Sequence, residues 1–203
     1  IPDIPGVDKP FVYTSTELLD KMTQPKHLAI IGGGYIGLEF ASTYTKLGTK
    51  VTVFERGDAL LAREDPAIAR ATTEALQAQG IEIVFSVDVT AIEGASTATI
   101  RTVNHDDYAG YDAVLIATGR RPATMSLNLP AAGVAMDERG AIVVDETLRT
   151  SRSHIWAMGD VTGGPQFTYA SLDDFRIVRS QLLGDGLYTR AKQKTLPYAV
   201  FMQ

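Results

Sequence analysis

The chain has 203 residues, a net charge of −5 and no cysteine. This length allows one large or two small domains with a sizeable core, and the missing cysteines exclude disulfide bonds, thiolate catalysis and cysteine-ligated metal sites within the chain. The acidic balance without a basic run argues against a nucleic-acid partner, and no stretch predicts a membrane span or a signal peptide. We therefore expect a cytoplasmic protein with no nucleic-acid partner, no membrane contact and no metal site.

The N-terminal residues 1–12 contain "IPDIPGVDKP", a proline-rich run. Such composition favours an extended connector over the start of a domain. We interpret residues 1–12 as a connector and expect the chain to be part of a longer protein.

A strand, a glycine turn and a helix are predicted in succession within residues 27–43, "HLAIIGGGYIGLEFAST". The apolar run 28–31 reads as the strand, and the helix is predicted to bury one apolar face. That face contains Ile36, Phe40, Tyr44 and Leu47. Gly32, Gly34 and Gly37 fit G-x-G-x-x-G, in which the first glycine allows a tight turn, the second admits a pyrophosphate and the third permits close packing of helix and strand. The helix N-terminus favours an anion, so the pattern predicts a dinucleotide site.

The run "KVTVFER" predicts a second strand and places Glu55 about 20 residues after the first glycine, where an acid binds the adenosine ribose. A carboxylate there repels a 2′-phosphate, which favours NAD over NADP. Arg56 is the contrary indication, because its guanidinium could pair with that phosphate. We expect NAD as the ligand and keep NADP as an alternative.

The following segment, 64–119, continues the alternation of helix and strand. Asp65 as N-cap, Pro66 in the first turn and Gly80 as the stop predict a second helix. Its predicted inward residues are Ile68, Ala71, Ala75 and Leu76. Strands are predicted at 81–85, 88–94, 96–103 and 111–119, the middle two as an antiparallel β-meander. The pattern predicts an α/β, Rossmann-like domain over residues 13–119, with a parallel sheet, helices and a meander.

Beyond Gly119 the pattern changes. Two short β-rich runs are predicted within 133–150 and a strand within 154–160. An amphipathic helix over 170–183 should end at Gly184. Its predicted inward residues are Leu172, Phe175, Val178 and Leu182. The final run, "LPYAVFMQ", reads as an apolar strand.

The chain contains three isolated histidines, His27, His105 and His154. None is accompanied by a second group that would suggest a metal site or an acid–base pair. We interpret all three as structural or surface residues.

The motifs "IIGGGYIGLEFA", "IATGRRP" and "IWAMGDVTGG" followed by "FTYASLDDFR" resemble, in the same order, those of the flavoprotein pyridine nucleotide-disulfide oxidoreductases. This family includes lipoamide dehydrogenase, glutathione reductase and mercuric reductase, and "GDVTGGPQFTYASLDDFRIV" is most similar to the branch with bacterial reactive-chlorine-resistance flavoproteins. The resemblance implies an NAD(P)-binding domain at 13–119, a second FAD-domain segment at 120–192 and the start of a truncated dimerisation domain at 193–203. The redox cysteine pair, the catalytic histidine and the rest of the FAD domain would lie outside this chain, and the whole protein would be a homodimer.

The resemblance also implies roles for residues near the nicotinamide. Tyr35 matches an aromatic lid over the flavin, although a tyrosine packed at a helix start is the alternative. Glu39 matches an acid near nicotinamide and flavin, where the residue pattern alone would suggest a solvated helix charge. Gly119 and Arg120 match the crossing between the NAD(P) and FAD domains, and Arg120 would lie near the dinucleotide.

Four further residues match the FAD side of the family. Gly159 and Asp160 match the Gly-Asp pair whose acid binds the ribityl chain, while the alternative is an aspartate that opens a loop. Thr168 and Ala170 match positions beside the isoalloxazine ring.

The resemblance therefore implies an electron-input part that binds NAD(P)H and passes hydride to FAD and on to a redox disulfide outside the chain. The cofactors carry this chemistry, which explains how a chain without cysteine can belong to a redox enzyme. The isolated chain should lack full activity. Two alternatives remain open: a flavin reductase of the ferredoxin-reductase or NADH-oxidase type, and a nucleotide-sensing regulatory module.

Overall fold

The computed structural model describes residues 2–104, 106–193 and 197–202. His105 lies outside these residues, as does part of the predicted C-terminal strand. The described chain divides into two compact units. The first contains the residues up to Gly119 together with those from Val200 onward, and the second contains those between Arg120 and Ala199.

The first unit alternates strands and helices. Its elements are β1 Val12–Tyr13, α1 Ser15–Leu19, β2 His27–Ile31, α2 Tyr35–Lys46, β3 Lys50–Phe54, α3 Pro66–Ala78, β4 Glu82–Val84, β5 Val89–Glu93, β6 Ala98–Thr102, β7 Asp107–Tyr111 and β8 Ala113–Ile116. The order β1-β8-β2-β3-β4 forms a parallel five-stranded sheet, and β5-β6-β7 form an antiparallel meander. The predicted α/β, Rossmann-like fold with a meander is therefore confirmed.

Both faces of the parallel sheet are covered, as such sheets require. Alternate residues of β2 point to opposite sides, so Leu28 and Ile30 join one core cluster while Ala29 and Ile31 join the other. The first cluster contains side chains of α2 and α3, and the second contains those of the meander. Because β2 and β3 are parallel neighbours, their carboxyl ends lie at the same edge of the sheet. The glycine turn begins at this edge.

Residues 2–12, interpreted from the sequence as a connector, are described as turns followed by the start of β1. The backbone N–H of Ile92 donates to the carbonyl of Pro5 at 2.8 Å, and Phe11 is buried. The sequence signals did not reveal β1, α1 or β7, since these elements are short and carry no strong periodicity.

The second unit has few regular elements. They are the 3₁₀ turns Met125–Leu127, Gly159–Thr162 and Arg190–Lys192, with helices α4 Leu129–Ala132 and α5 Thr168–Leu183. The β-rich runs predicted within 133–150 and 154–160 form only isolated bridges, among them Met136 with Ile142 and Arg149 with Trp156. Residues 197–202 form no strand, so the prediction of a C-terminal strand is wrong for this described part.

The predicted inward faces of the helices are wrong in part. In α2 the buried residues are small or adjacent to the glycine turn: Gly37, Leu38, Ala41 and Ser42. Small side chains let α2 approach the sheet closely, which leaves Leu47 exposed and Phe40 and Tyr44 at the margin of the core.

The other two long helices show the same kind of error. In α3 only Ala69 and Leu76 are buried, and the predicted inward residues Ile68, Ala71 and Ala75 are exposed. In α5 the predicted apolar residues Leu172, Phe175 and Leu182 are exposed. The buried side of α5 instead contains Ala170, Asp173, Asp174 and Ile177. The two acids can be buried because other groups satisfy their oxygens.

Candidate functional site

The glycine turn lies between the carboxyl end of β2 and the first residue of α2. Gly32 has φ +111° and donates its N–H to the carbonyl of Phe54 at 2.9 Å. A Cβ at Gly32 would lie 2.5 Å from the carbonyl oxygen of Ala117, and one at Gly37 would lie 2.2 Å from the carbonyl oxygen of Gly32. Both positions therefore require glycine for the close approach of strand, turn and helix.

Gly34, unlike Gly32 and Gly37, has open space beside its Cα. A Cβ there would meet nothing within 4 Å, and its backbone is extended at φ −86° and ψ 179°. Gly34 is the N-cap of α2, with no side-chain cap hydrogen bond. The turn is thus open at the point where N–H groups of a helix N-terminus can bind a phosphate. This geometry fits a dinucleotide pyrophosphate.

Glu55 follows β3 and lies beside the same turn. One carboxylate oxygen, Oε2, accepts the N–H of Gly33 at 2.7 Å, and Oε1 accepts the N–H of Gly57 at 2.7 Å. These bonds fix the orientation of the carboxylate while each oxygen retains a further lone pair for a hydroxyl donor. Arg56 is exposed and forms no ion pair with a residue in the described ranges.

The loop 57–65 is a part of the site that the sequence did not indicate. Leu60 is fully buried, and the N–H of Leu61 donates to the carbonyl of Gly33 at 3.2 Å. The hydroxyl of Tyr35 donates to Oε1 of Glu64. No motif predicts these contacts, because the loop has no fixed spacing relative to the glycines.

Tyr35 is the first residue of α2 and is partly buried against the first core cluster. Glu39, one turn later, accepts the N–H of Phe201 at 3.0 Å through Oε1. Phe201 is exposed, whereas Met202 packs against the same core cluster. The structure therefore places the predicted site residue Glu39 in a hydrogen bond with Phe201 rather than leaving it as a solvated helix charge.

The second unit contains a cavity of about 350 Å³. Its lining residues are Arg120, Met158, Gly159, Asp160, Gln166, Phe167, Thr168 and Ser171. Gly159, Asp160 and Thr168, predicted for the FAD side, line this cavity, whereas Ala170, the fourth residue of that set, is buried and does not. Arg120, predicted to lie near the dinucleotide, lines the same cavity. Gly119, at φ +127°, precedes Arg120 and belongs to the first unit.

Two acids of α5 are buried, and one of them, Asp174, contacts a residue that lines this cavity. Asp174 accepts the N–H of Gly159 at 2.9 Å through Oδ2 and the side-chain amide of Gln193 at 3.0 Å through Oδ1. Asp173 accepts the hydroxyl of Tyr188 at 3.1 Å. Gly159 has φ +74°, in the left-handed region, and the hydrogen bond from its N–H to Asp174 stabilises this turn. No sequence pattern indicated this role, because two adjacent acids in a helix normally indicate a solvated face.

The structure describes two of the three histidines, His27 and His154. His27 begins β2 with its ring 4.2 Å from that of Tyr111, and its Nε2 is buried without a hydrogen-bond partner in the described residues. Burial, together with the charge of Lys50, lowers the pKa of His27 below its ordinary value of 6.5. His154 lies in an exposed turn.

Within residues 2–104, 106–193 and 197–202, no helix combines the length and the apolar character that crossing a bilayer would need. No group of three or more His, Asp or Glu residues there could hold a metal ion.

Comparison with known proteins gives consistent matches. The family model for pyridine nucleotide-disulphide oxidoreductase matches residues 1–174. The probable pyridine nucleotide-disulfide oxidoreductase RclA of Escherichia coli (strain K12) is 50% identical over 203 residues, which cover 100% of this chain and 46% of that protein. Mercuric reductase of Bacillus cereus is 39% identical over 206 residues, covering 98% of this chain and 32% of the relative.

Among solved structures, the HOCl-induced flavoprotein disulfide reductase RclA from Escherichia coli matches with a TM-score of 0.94 and 49% identity. The match covers 100% of this chain and 46% of that one. The chain therefore spans less than half the length of these relatives.

Proposed function

Because this chain belongs to the pyridine nucleotide-disulphide oxidoreductase family, we propose that it binds NAD(P)H and forms the electron-input part of an FAD-dependent oxidoreductase. In this proposal residues 13–119 are the NAD(P)-binding domain, 120–192 are an FAD-domain segment, and 193–203 begin a dimerisation domain. The redox disulfide that finally receives the electrons lies outside this chain, which has no cysteine.

The observation that carries the proposal is the geometry of the glycine turn. Gly32 and Gly37 are closed positions, where a Cβ would strike backbone oxygens, while Gly34 faces open space. A turn that only capped a buried helix would not need an open position between two closed ones. The open position supports a pyrophosphate that approaches the backbone at Gly34 and accepts N–H groups at the start of α2.

Other residues of the first unit have assigned parts in the proposal. Glu55, oriented by the amides of Gly33 and Gly57, binds the adenosine ribose. Tyr35 and Glu39, in the first turns of α2, are assigned to the nicotinamide side. Nicotinamide and flavin supply the hydride chemistry when bound.

For the flavin side, the proposal uses the cavity of the second unit. Asp160, in the 3₁₀ turn Gly159–Thr162, would accept hydrogen bonds from the ribityl hydroxyls. Thr168, at the start of α5, would also contact the flavin, whereas Arg120, which lines the same cavity, would lie near the dinucleotide. Ala170, a buried residue of α5, would act through packing.

The dinucleotide proposal is tested by isothermal titration calorimetry, in which the 203-residue chain is titrated separately with NADH and with NADPH. Because Glu55 places a negative charge where a 2′-phosphate would lie, NADH should bind at least about tenfold more tightly, equivalent to about 1.4 kcal/mol. An Arg56→Ala variant provides the control, since the loss of its charge should weaken NADPH binding further and leave NADH unchanged. Tighter binding of NADPH than NADH would contradict the assignment of NAD, and binding of neither would contradict the proposed function.

A further inference from the structure

The hydrogen bond from the Tyr35 hydroxyl to Glu64 joins the start of α2 to the end of the loop 57–65. We propose that Glu64 is a positioning residue: by holding Tyr35, it keeps the loop and the glycine turn in the arrangement that accepts a dinucleotide. This inference rests on the proposed function of the first unit and assigns a residue that lies outside the glycine motif.

The loop 57–65 contacts the glycine turn along its length. At its start, the N–H of Gly57 donates to the Glu55 carboxylate, which also accepts the N–H of Gly33. In its middle, the N–H of Leu61 donates to the carbonyl of Gly33 at 3.2 Å. At its end, Glu64 receives the hydroxyl of Tyr35. Two carboxylates, one at each end, therefore hold the loop against the turn.

The backbone of this loop also needs support from its surroundings. Leu61 has φ +50°, in the left-handed region that side chains other than glycine rarely adopt. The N–H of Glu64 donates to the carbonyl of Leu61 at 2.8 Å, so the strained residue and the positioning residue belong to one turn. Such backbone strain persists only where neighbouring contacts hold it, and the bond to Tyr35 is one of these contacts.

The direction of the effect follows from Gly34. The Tyr35–Glu64 bond is formed while a Cβ at Gly34 would still meet nothing within 4 Å, so the bond and an open pyrophosphate position coexist. The bonded arrangement is therefore compatible with a bound pyrophosphate. Loss of the bond gives the loop and Tyr35 more conformations in the free protein. NADH binding must then order both, and the free-energy cost of this ordering lowers the affinity for NADH.

The test is a double-mutant cycle on the dissociation constant for NADH, measured by calorimetry on the 203-residue chain. Tyr35→Phe and Glu64→Ala should each raise the dissociation constant about three- to tenfold, and the double variant should be no weaker than the weaker single variant. Glu64→Gln keeps an amide oxygen that accepts the hydroxyl, so it should restore most of the affinity. Glu74→Ala, an exposed acid of α3, is the matched control and should bind as the wild type does.

Each outcome bears on the proposal. Coupled losses with rescue by glutamine support positioning through the hydrogen bond. Additive effects of the two single changes, wild-type affinity in Glu64→Ala, or failure of the glutamine variant to rescue would overturn it. A wild-type chain that binds neither NADH nor NADPH would refute the proposed function itself, and this result is distinguished by the titration of the unmodified chain.

Discussion

Two alanine substitutions in the glycine turn should separate folding from binding. In Gly37→Ala the new methyl would lie 2.2 Å from the carbonyl oxygen of Gly32 and 3.2 Å from Cγ2 of Ile30. In Gly34→Ala it would meet no heavy atom within 4 Å, and the backbone there is already in a region that alanine adopts readily. The same chemical change is therefore made three residues apart, in a closed and in an open position.

The expected magnitudes follow from these distances. Overpacking costs about 1–3 kcal/mol, while replacing a helical glycine with alanine recovers about 1 kcal/mol. Because a carbonyl oxygen of the backbone cannot rotate away, we expect the upper end for Gly37→Ala, a net loss of about 2 kcal/mol and a fall in Tm of at least about 4 °C. For Gly34→Ala the only structural cost is a poorer N-cap residue, about 0.5–1 kcal/mol.

The affinity for NADH should change in the opposite order, with the larger loss in Gly34→Ala. The methyl of Gly34→Ala would occupy the space through which the pyrophosphate reaches the backbone, so the dissociation constant for NADH should rise more than about tenfold, or about 1.4 kcal/mol. Thermal unfolding followed by circular dichroism gives the stability of both variants, and calorimetry well below each Tm gives the affinity. If Gly34→Ala bound NADH with wild-type affinity, the pyrophosphate would not approach at this position. If Gly37→Ala had the Tm of the wild type, the close approach of α2 to the turn would be wrong.

Three further predictions concern other parts of the chain. Since the pKa of His27 lies below 6.5 in the folded chain, the unfolded chain takes up a proton first on acidification, and stability should fall as the pH drops from about 6.5 toward the folded pKa. Denaturant unfolding across this range should show a smaller loss in His27→Gln than in the wild type, with His154→Gln as the control, and equal slopes in all three would contradict the assignment. Asp174→Asn should destabilise the second unit by about 1–3 kcal/mol, because asparagine offers one accepting oxygen where the buried carboxylate accepts from two donors, the Gly159 N–H and the Gln193 side-chain amide. The fluorescence of Trp156 reports the unfolding of this unit, and an unchanged transition would refute the role of Asp174. The purified chain should be colourless yet bind NADH, because the cradle for the FAD pyrophosphate is not among its motifs, and visible absorbance from near-stoichiometric flavin would contradict this.

Local signals in the sequence were sufficient for the framework of the first unit. The spacing of Gly32, Gly34 and Gly37 predicted the turn between β2 and α2, and the Asp65 side chain caps α3 as expected, accepting the N–H of Ala67 at 2.7 Å. These features are predictable because a positive φ, a helix cap or an alternating strand depends on neighbours within a few residues.

The faces of the helices could not be decided in the same way. An apolar stripe shows that a helix can bury one side, but the neighbouring element decides which side is buried. On α5 the apolar residues Leu172 and Phe175 are exposed, whereas Asp173 and Asp174 are buried because Tyr188 and the Gly159 amide, among others, satisfy their oxygens. Pairings of this kind join residues far apart in the chain, and no local pattern specifies them.

The candidate site shows the same division. By itself the sequence determined the glycine turn and the acid after β3, since both belong to a short strand–turn–helix–strand unit with fixed spacing. Only the tertiary structure decided three contacts: Glu55 accepts the N–H of Gly33, Leu61 of the loop 57–65 donates its N–H to the carbonyl of Gly33, and Glu64 accepts the hydroxyl of Tyr35. The physical reason is that a loop has no repeating pattern, so its contacts are set by where the folded sheet and helix leave hydrogen-bonding groups to be satisfied.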